Sequence, residues 1–289
     1  YQALLNNVTV EHFVSGGYGF KITGSNPELR LNFCDAKRYR FGDSGYNTWS
    51  NRTGSGIYVD SSDVLVNLCT AAYCKYPLHV GPDVGGFRTT GGHFYNGAAQ
   101  PTQVTITGAA SNGGPNLIRI TATAHGRTTG DRVIIGAING TTEANDVWNV
   151  TVIDANTLDL IGSVFTNAFS ASPSAFVMLE DDEPCAVYVE SGAASITFDG
   201  VQFDNGVVKL KTDNVSITGG LFLRSGTGYN SHGIRYVATS ASETAAGLHV
   251  VGNYYQQTGY IRYLDFDEDG VLCSYATTIL PQVFGNIAA

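Results

Sequence analysis

The sequence has little charge, few helix-forming residues and no long apolar run. Charged residues make up 14% of its 289 positions, and Met occurs only once. No apolar segment approaches the roughly 20 residues that a membrane-spanning helix needs, and the N-terminus lacks the charged start and apolar middle of a signal peptide. The composition therefore predicts a protein that does not insert into a membrane.

Several chemical signatures are also missing. There is no HExxH zinc motif, no G-x-S-x-G elbow, no phosphate-binding glycine loop and no dinucleotide fingerprint, so no cofactor is predicted. The five cysteines lack CxxC spacing, which disfavours a metal knuckle and predicts buried free thiols, with a Cys69–Cys74 disulfide as the alternative. A formal net charge of −9 would repel a phosphate backbone, so nucleic acid is not an expected partner.

Glycine and aromatic residues are abundant, with 35 Gly, 16 Tyr and 14 Phe, a composition typical of β-structure. The clearest pattern is a ten-residue window that ends in glycine and occurs five times. Each window alternates apolar and polar residues, as a short strand with one buried face does. The windows are Asn7–Gly16, Arg88–Gly97, Thr197–Gly206, Ile217–Gly226 and Val250–Gly259.

The spacing from the third window to the fourth is about one coil of a β-solenoid. One coil cannot cover its own apolar face, but stacked coils can, because each strand pairs with its equivalents above and below. Other alternating runs lie between the windows and are predicted to form the remaining faces: Ser55–Asp60, Asp63–Leu68, Ala186–Glu190, Val207–Lys211 and Gly233–Val237. The prediction is an all-β, right-handed parallel β-helix in residues 1–100 and 179–289, with a β-sandwich as the alternative.

The repeat stops between residues 101 and 178. This segment is rich in Thr, Asn and Ile and contains strand-like runs separated by His-Gly, Thr-Gly-Asp and Asp-Ala-Asn turns. The runs are Ile118–Gly126, Thr129–Val133 and Asn149–Leu158. The sequence therefore predicts a small antiparallel β-barrel domain inserted into the β-helix.

Two resemblances add to this prediction. The inserted blocks TATAHG..TGDRV (from Thr121), W.VTV.D.NT..L (from Trp148) and Gly140-Thr-Thr resemble a small β-barrel module that recurs in phage tail proteins. That module is similar to the first-catalytic-cysteine-half domain of ubiquitin-activating enzymes, although no ubiquitin chemistry follows from a shared fold. The repeats on both sides resemble, in pattern, phage tailspike and polysaccharide-lyase β-helices.

The resemblance implies a fragment of a phage tailspike or tail fibre that forms a homotrimer in the virion tail. Its expected partner is host cell-surface polysaccharide, and depolymerase activity on that polysaccharide is a further candidate function. Because the chain opens at Tyr1 and its only methionine is Met178, a preceding segment is expected to contact other virion tail proteins. One alternative is a structural or adhesive β-helix without enzymatic activity. Another is a secreted pectinase-like monomer, which the absent signal peptide and the insert disfavour.

Candidate catalytic residues come from the carboxylates, because glycoside hydrolysis uses a pair of Asp or Glu side chains. The preferred pair is Asp199 and Asp204, which share one repeat, with Glu190 on a neighbouring strand. The clusters Glu180–Glu183 and Asp265–Asp269 are more typical of solvated loops.

Sugar binding is predicted for tyrosines near the end of the chain, because an exposed ring can stack on a sugar while its hydroxyl forms hydrogen bonds. A core or trimer-interface position is the equally weighted alternative. The binding candidates are Tyr254, Tyr255, Tyr260 and Tyr263, with Phe94 and Tyr95. A lyase mechanism would instead need a basic residue, for which Arg224 or Arg235 are the candidates.

Overall fold

The computed structural model shows an all-β protein. It describes residues 3–24, 28–39, 43–44, 48–97, 101–212, 214–225, 233–237, 247–258, 271–273, 282–284 and 287–288. No helix among these residues is long and apolar enough to span a membrane. The chain divides into two compact units: the first comprises the described residues within Tyr1–Gln100, Pro184–Gly259 and Asp265–Ala289, and the second contains Pro101–Glu183.

The first unit is built from three parallel sheets, here named A, B and C, with strands numbered in chain order through the whole protein. Sheet A contains β1 (Ala3–Asn6), β4 (Leu29–Asn32), β7 (Val64–Asn67), β10 (Phe87–Thr90), β20 (Ile196–Asp199), β23 (Val215–Thr218), β26 (Leu248–Val251) and β29 (Gln282–Phe284). Sheet B contains β2 (Thr9–Glu11), β5 (Asp35–Lys37), β8 (Thr70–Ala72), β11 (His93–Tyr95), β21 (Gln202–Asp204), β24 (Leu221–Ser225), β27 (Tyr254–Thr258) and β30 (Ile287–Ala288). Sheet C contains β3 (Tyr18–Thr23), β6 (Ser55–Asp60), β9 (Tyr76–Val80), β19 (Cys185–Val189), β22 (Val207–Leu210), β25 (Ile234–Tyr236) and β28 (Val271–Cys273).

The chain visits the sheets in the order A, B, C and then repeats that order, and each new strand pairs in parallel with its equivalent from the previous round. We call one such round a coil. All five strand runs predicted between the windows form strands of sheets A and C. A short 3-10 turn, η1 (Trp49–Asn51), lies between β5 and β6.

The register of the coils differs from a simple alignment of the window glycines. Such an alignment would place Phe203 beside Leu223, but Phe203 pairs with Phe222. Both phenylalanines are buried, and a one-residue slip would turn Phe222 to the outer face. The first window is offset by three residues, because Val10 occupies the column that continues to Phe94. Burial of the inner column therefore sets the register more strongly than the position of the final glycine.

The corner between sheets A and B recurs with the same backbone geometry. The residue that follows a sheet A strand adopts positive φ in seven coils, as at Leu68 (φ 51°) and Gly91 (φ 62°). This left-handed conformation costs little for glycine but is strained for leucine, and Leu68 is also 52% exposed. Two residues suffice to turn the chain from one sheet into the next, which explains the glycines inside the windows.

Inward side chains of the three sheets form one apolar core. One column of sheet A runs through Leu31, Val66, Thr89, Phe198 and Ile217. All five are fully buried, and the Thr89 hydroxyl donates a hydrogen bond to the carbonyl of Gly91 (3.3 Å). Stacking like residues in register removes their side chains from water without a second layer of structure.

Four cysteines of this unit have described side chains, and two of them, Cys34 and Cys69, belong to the same core. Cys34, Cys69, Cys74 and Cys185 are buried free thiols, as the sequence predicts, and no Cys69–Cys74 disulfide forms. Burial raises the pKa of Cys69 and that of Cys74 to about 12. These thiols therefore act as small apolar side chains at neutral pH.

The second unit is a single antiparallel sheet of seven strands with its own core. In the chain it falls between β11 of sheet B and β19 of sheet C. Its strands, in sheet order, are β12 (Val104–Thr105), β18 (Phe176–Leu179), β15 (Arg132–Gly136), β16 (Val147–Asp154), β17 (Thr157–Leu160), β14 (Ile118–Thr121) and β13 (Gly108–Ser111). Two 3-10 turns accompany them, η2 (Thr142–Ala144) and η3 (Glu180–Asp182).

Candidate functional site

The outer face of sheet C carries a cluster of aromatic side chains that we call the aromatic face: Tyr18, Tyr58, Tyr76, His79 and Tyr188. They come from β3, β6, β9 and β19. The register places His79 between Tyr58 and Tyr188. Because neighbouring strands lie about 4.8 Å apart, rings at the same position of successive coils form a continuous surface.

The rings contact one another directly. Tyr76 and Tyr188 stack with centroids 4.8 Å apart and an interplanar angle of 17°. Tyr58 meets the His79 ring edge to face at 4.8 Å, and Tyr18 lies 5.1 Å from Tyr58. These separations fall in the range of favourable aromatic pairs. All four tyrosines keep part of their surface in solvent, and Tyr18 is 38% exposed.

His79 is fixed by hydrogen bonds at both ring nitrogens. Nε2 lies 2.7 Å from Glu190 Oε1, and Nδ1 lies 3.2 Å from Ser55 Oγ. Burial lowers the pKa of His79, although the Glu190 carboxylate opposes this effect. A neutral ring satisfies all three groups when its Nε2–H donates a hydrogen bond to Glu190 and its Nδ1 accepts one from the Ser55 hydroxyl. The assigned tautomer therefore carries its proton on Nε2.

The Ser55–His79–Glu190 chain has the residue types of a hydrolase triad but not its geometry. Ser55 is only 3% exposed, so a substrate carbonyl could not reach its hydroxyl. A nucleophilic serine must present its oxygen to the substrate beside an oxyanion-binding group. Ser55 and Glu190 therefore hold the His79 ring in place within the aromatic face.

Two carboxylates border the aromatic face on either side of a glycine. Asp60, the last residue of β6, and Glu190, the residue after β19, occupy equivalent positions, and Gly81 occupies the position between them in the intervening coil. Two strand spacings separate their backbones by roughly 10 Å. Asp60 accepts hydrogen bonds from the Tyr58 hydroxyl (3.2 Å) and the Asp83 amide (3.1 Å). Burial first, and Asp60 second, raise the pKa of Tyr58 to about 12.

Lysines lie at the edges of the aromatic face. The Lys21 ammonium is 4.9 Å from the centre of the Tyr18 ring, and the Lys211 ammonium is 5.3 Å from the centre of the Tyr188 ring. The surface thus combines flat apolar rings with hydroxyl, carboxylate and ammonium groups. Such a combination suits a ligand that has both C–H faces and many hydroxyls.

The sequence-predicted catalytic pair lies on other sheets. Asp199 ends β20 on the outer side of sheet A, where it accepts a hydrogen bond from the Thr218 hydroxyl (3.2 Å). Asp204 belongs to β21 of sheet B and lies 3.6 Å from Nε2 of His93. Its Oδ1 is buried and has no hydrogen-bond partner among the described residues. The two carboxylates have different partners, and their joint catalytic role stays a prediction.

The predicted tyrosine group is only partly described. Tyr254 begins β27 and is 39% exposed. Tyr255 belongs to the same strand, but its side chain lies outside the described part, as do Tyr260 and Tyr263 in full. For all four tyrosines, sugar binding stays a prediction.

Two further aromatic candidates occupy β11. Phe94 is a core residue with no exposed surface, so the prediction that it offers an open ring is wrong. Tyr95 stacks on His93 at 4.4 Å. Burial, followed by a hydrogen bond with Tyr73, raises the pKa of the Tyr95 hydroxyl.

The remaining charged candidates have mixed outcomes. In the Glu180–Glu183 cluster, Asp181 is exposed as predicted, but Glu180 and Glu183 are only 7% and 2% exposed, so the prediction of a solvated loop is wrong for the two glutamates. Arg132 pairs with Glu180 at 2.8 Å and compensates its burial. Arg235 is fully buried. The Asp265–Asp269 cluster and the Arg224 side chain lie outside the described residues.

Sequence reasoning missed most of the aromatic face, although a signal was available. Tyr58, His79 and Tyr188 each occupy an outward position within an alternating run. Aligning sheet C strands with one another, instead of the glycine-ending windows, would have placed the three rings in one column.

Comparison with protein-family models gives no match, and comparison with curated proteins gives none either. Kinship therefore contributes nothing to a functional assignment. The chemistry of the aromatic face and the organisation of the sheets must carry it.

Proposed function

We propose that this chain is a fragment of a phage tailspike or tail fibre that binds host cell-surface polysaccharide through the aromatic face. The observation that carries the proposal is the surface of four partly exposed tyrosines, Tyr18, Tyr58, Tyr76 and Tyr188, bordered by carboxylates and lysines. Saccharides bind to such surfaces by packing C–H groups on the rings while their hydroxyls bond to charged side chains.

The fold is proposed to be a right-handed parallel β-helix with an inserted small β-barrel. The recurring A, B, C order of three parallel sheets supports the β-helix, and the seven-stranded antiparallel sheet supports the insert. A homotrimer in the virion tail, in contact with other tail proteins, completes the proposal. Burial of sheet edges and exposed apolar surface between identical subunits is the physical reason for expecting self-association.

Polysaccharide cleavage is a second candidate function, and the positions of Asp60 and Glu190 favour it. Their backbone separation of roughly 10 Å allows a carboxylate separation within the roughly 5–10 Å that glycoside hydrolases use. Gly81 between them has no side chain, and the Asp60 carboxylate and the Tyr58 hydroxyl lie over its Cα position. A purely structural or adhesive protein is the alternative, and it requires no such pair.

The binding test uses an array of purified bacterial O-antigen and capsule polysaccharides. The chain is compared with a Tyr76→Ala/Tyr188→Ala variant and with a Tyr254→Ala variant that removes an exposed tyrosine from sheet B. Loss of the stacked pair is expected to weaken binding by about tenfold or more, whereas Tyr254→Ala should bind normally. If no polysaccharide binds the chain, or if only Tyr254→Ala loses binding, the aromatic face is not the site.

The cleavage test follows the size of a bound polysaccharide by size-exclusion chromatography. Asp60→Asn and Glu190→Gln are each expected to stop any shortening of the polymer. An Asp199→Ala/Asp204→Ala variant provides the comparison. If Asp60→Asn and Glu190→Gln still cleave the polymer and Asp199→Ala/Asp204→Ala does not, the catalytic role belongs to the sequence-predicted pair. If no protein shortens the polymer, the chain binds polysaccharide without cleaving it.

A further inference from the structure

Sheet A carries a groove of about 760 Å³ on its outer side. Its floor is one outward column of the sheet: Arg30, Leu65, Arg88, Thr197, Ser216 and His249. The column crosses six coils in register. The groove therefore runs along the direction in which the coils stack, as a track for an extended ligand.

The charge of this floor is opposite to that of the whole chain. The protein has a formal net charge of −9, yet Arg30 and Arg88 stand in the groove, are exposed, and form no ion pair with any described residue. Glu28 and Asp63 line the rim. Unpaired guanidinium groups in a groove attract anions and bind carboxylates through two parallel hydrogen bonds.

The spacing of the floor indicates a repeating anion. Arg30 and Arg88 are two coils apart, so their backbones are separated by roughly 10 Å, and Leu65 lies between them. A carboxylated polysaccharide fits this order, because it presents acidic groups at intervals with apolar ring faces between them. Beyond Arg88 the floor continues with the hydroxyls of Thr197 and Ser216, which suit sugar hydroxyls.

The rim narrows the choice of ligand. Asp63 and Glu28 adopt left-handed backbone conformations (φ 58° and 49°) immediately before β7 and β4, and both residues line the same groove. Carboxylates accept hydrogen bonds from sugar hydroxyls but repel the closely spaced charges of a polyphosphate or nucleic acid. We infer that the sheet A groove is a second binding site, specific for a carboxylated polysaccharide.

This site does not depend on the proposed role of the aromatic face. The two surfaces belong to different sheets and share no residue. A failure of one assignment therefore leaves the other intact, and separate sets of variants distinguish them.

The test measures binding of polygalacturonate to the chain by calorimetry at about 0.15 M salt. An Arg30→Gln/Arg88→Gln variant removes both guanidinium groups. Lys37→Gln is the matched control, because it removes one positive charge from sheet B, where Lys37 lies 3.7 Å from Asp35. The double variant is expected to bind at least about tenfold more weakly, and the control to change less than about twofold. Fully methyl-esterified polygalacturonate should bind weakly to all three proteins.

Several results would overturn the inference. Equal affinity of the chain and the double variant would show that the guanidinium groups do not bind the polymer. Equal affinity for the esterified polymer would show that carboxylates are not recognised, and stronger binding of inorganic polyphosphate would indicate a general anion site. If Tyr76→Ala/Tyr188→Ala loses polygalacturonate binding while the arginine variant retains it, the acidic polymer binds the aromatic face instead. A changed sedimentation coefficient of the folded arginine variant, without changed affinity, would make the groove an interface between copies of the chain.

Discussion

Replacing Glu190 with Gln tests the arrangement at the centre of the aromatic face. The variant keeps the size and shape of the side chain, and its amide oxygen can still accept a hydrogen bond from His79 Nε2–H, but it removes the negative charge. In the native protein the Glu190 carboxylate lies 2.7 Å from that nitrogen. The substitution therefore separates the effect of charge from the effect of the hydrogen bond.

The cost in stability can be worked from the exposure of the two side chains. A hydrogen bond to a charged group contributes about 1.5–3 kcal/mol when it is shielded from water. His79 is largely shielded (13% exposed), whereas the Glu190 side chain is 34% exposed, so solvent screening reduces the expected loss to about 1 kcal/mol. Urea denaturation at pH 7, followed by far-UV circular dichroism, measures this loss.

The pKa of His79 gives the sharper measurement. Burial holds it below the ordinary value of 6.5, and the Glu190 carboxylate acts against that shift. Glu190→Gln should therefore lower the pKa further, as followed by NMR titration of the ring. Because the folded pKa is below the unfolded one, the unfolded state binds more protons, and stability falls as the pH drops from about 6.5 to the folded pKa. The variant extends this loss to lower pH.

Asp60→Asn is the matched control for the titration. Asp60 also raises the pKa of His79, but it is the weakest of the contributing groups. This variant should therefore lower the pKa less than Glu190→Gln does. A His79 pKa that rises or stays constant in Glu190→Gln would refute the assigned contact between these two side chains.

Two further predictions concern the interior of the first unit. Phe198→Ala should destabilise the protein by about 3–5 kcal/mol, because it opens a cavity between aromatic rings whose centroids lie about 6 Å from that of Phe198. Thr197→Ala, on the outer side of the same strand, should change the free energy of unfolding by less than about 0.5 kcal/mol. Equal urea midpoints for the two variants would contradict the assigned core. Thiol labelling with a chromogenic disulfide at pH 8 should modify at most one cysteine per native chain, because Cys34, Cys69, Cys74 and Cys185 are buried. In urea the same reagent should modify all five cysteines. Rapid labelling of two or more thiols in the native protein would show that this interior is open to solvent.

The sequence predicted the strands well because their signal is local. All five runs named between the windows form strands. Alternation of apolar and polar residues reports the inward side chains in three of these runs, but Lys209 and Arg235 are buried at polar positions of the other two. The register was less predictable. The windows align on their final glycines, whereas the strands pair so that Phe222 stays beside Phe203, because a one-residue shift would expose a buried ring.

The corner residues show a second limit of local patterns. Glycine marks several A to B corners, but Phe33 and Leu68 occupy equivalent corners with φ of 52° and 51°. Neither residue type predicts a left-handed turn. The stacking of coils above and below imposes this conformation, so a search for turn residues overlooks these corners.

The candidate site is harder to predict than the fold because its contacts are distant in sequence. His79 and Glu190 are 111 positions apart, and the segment Pro101–Glu183 of the second unit lies between them in the chain. They meet because β9 and β19 are neighbours in sheet C, so the insertion lengthens the chain without changing the order of the coils. The same reasoning applies to the sheet A groove, where Arg88 continues a column begun by Arg30. In a stack of parallel coils, a functional surface is defined by equal positions in successive coils, and only the register brings those positions together.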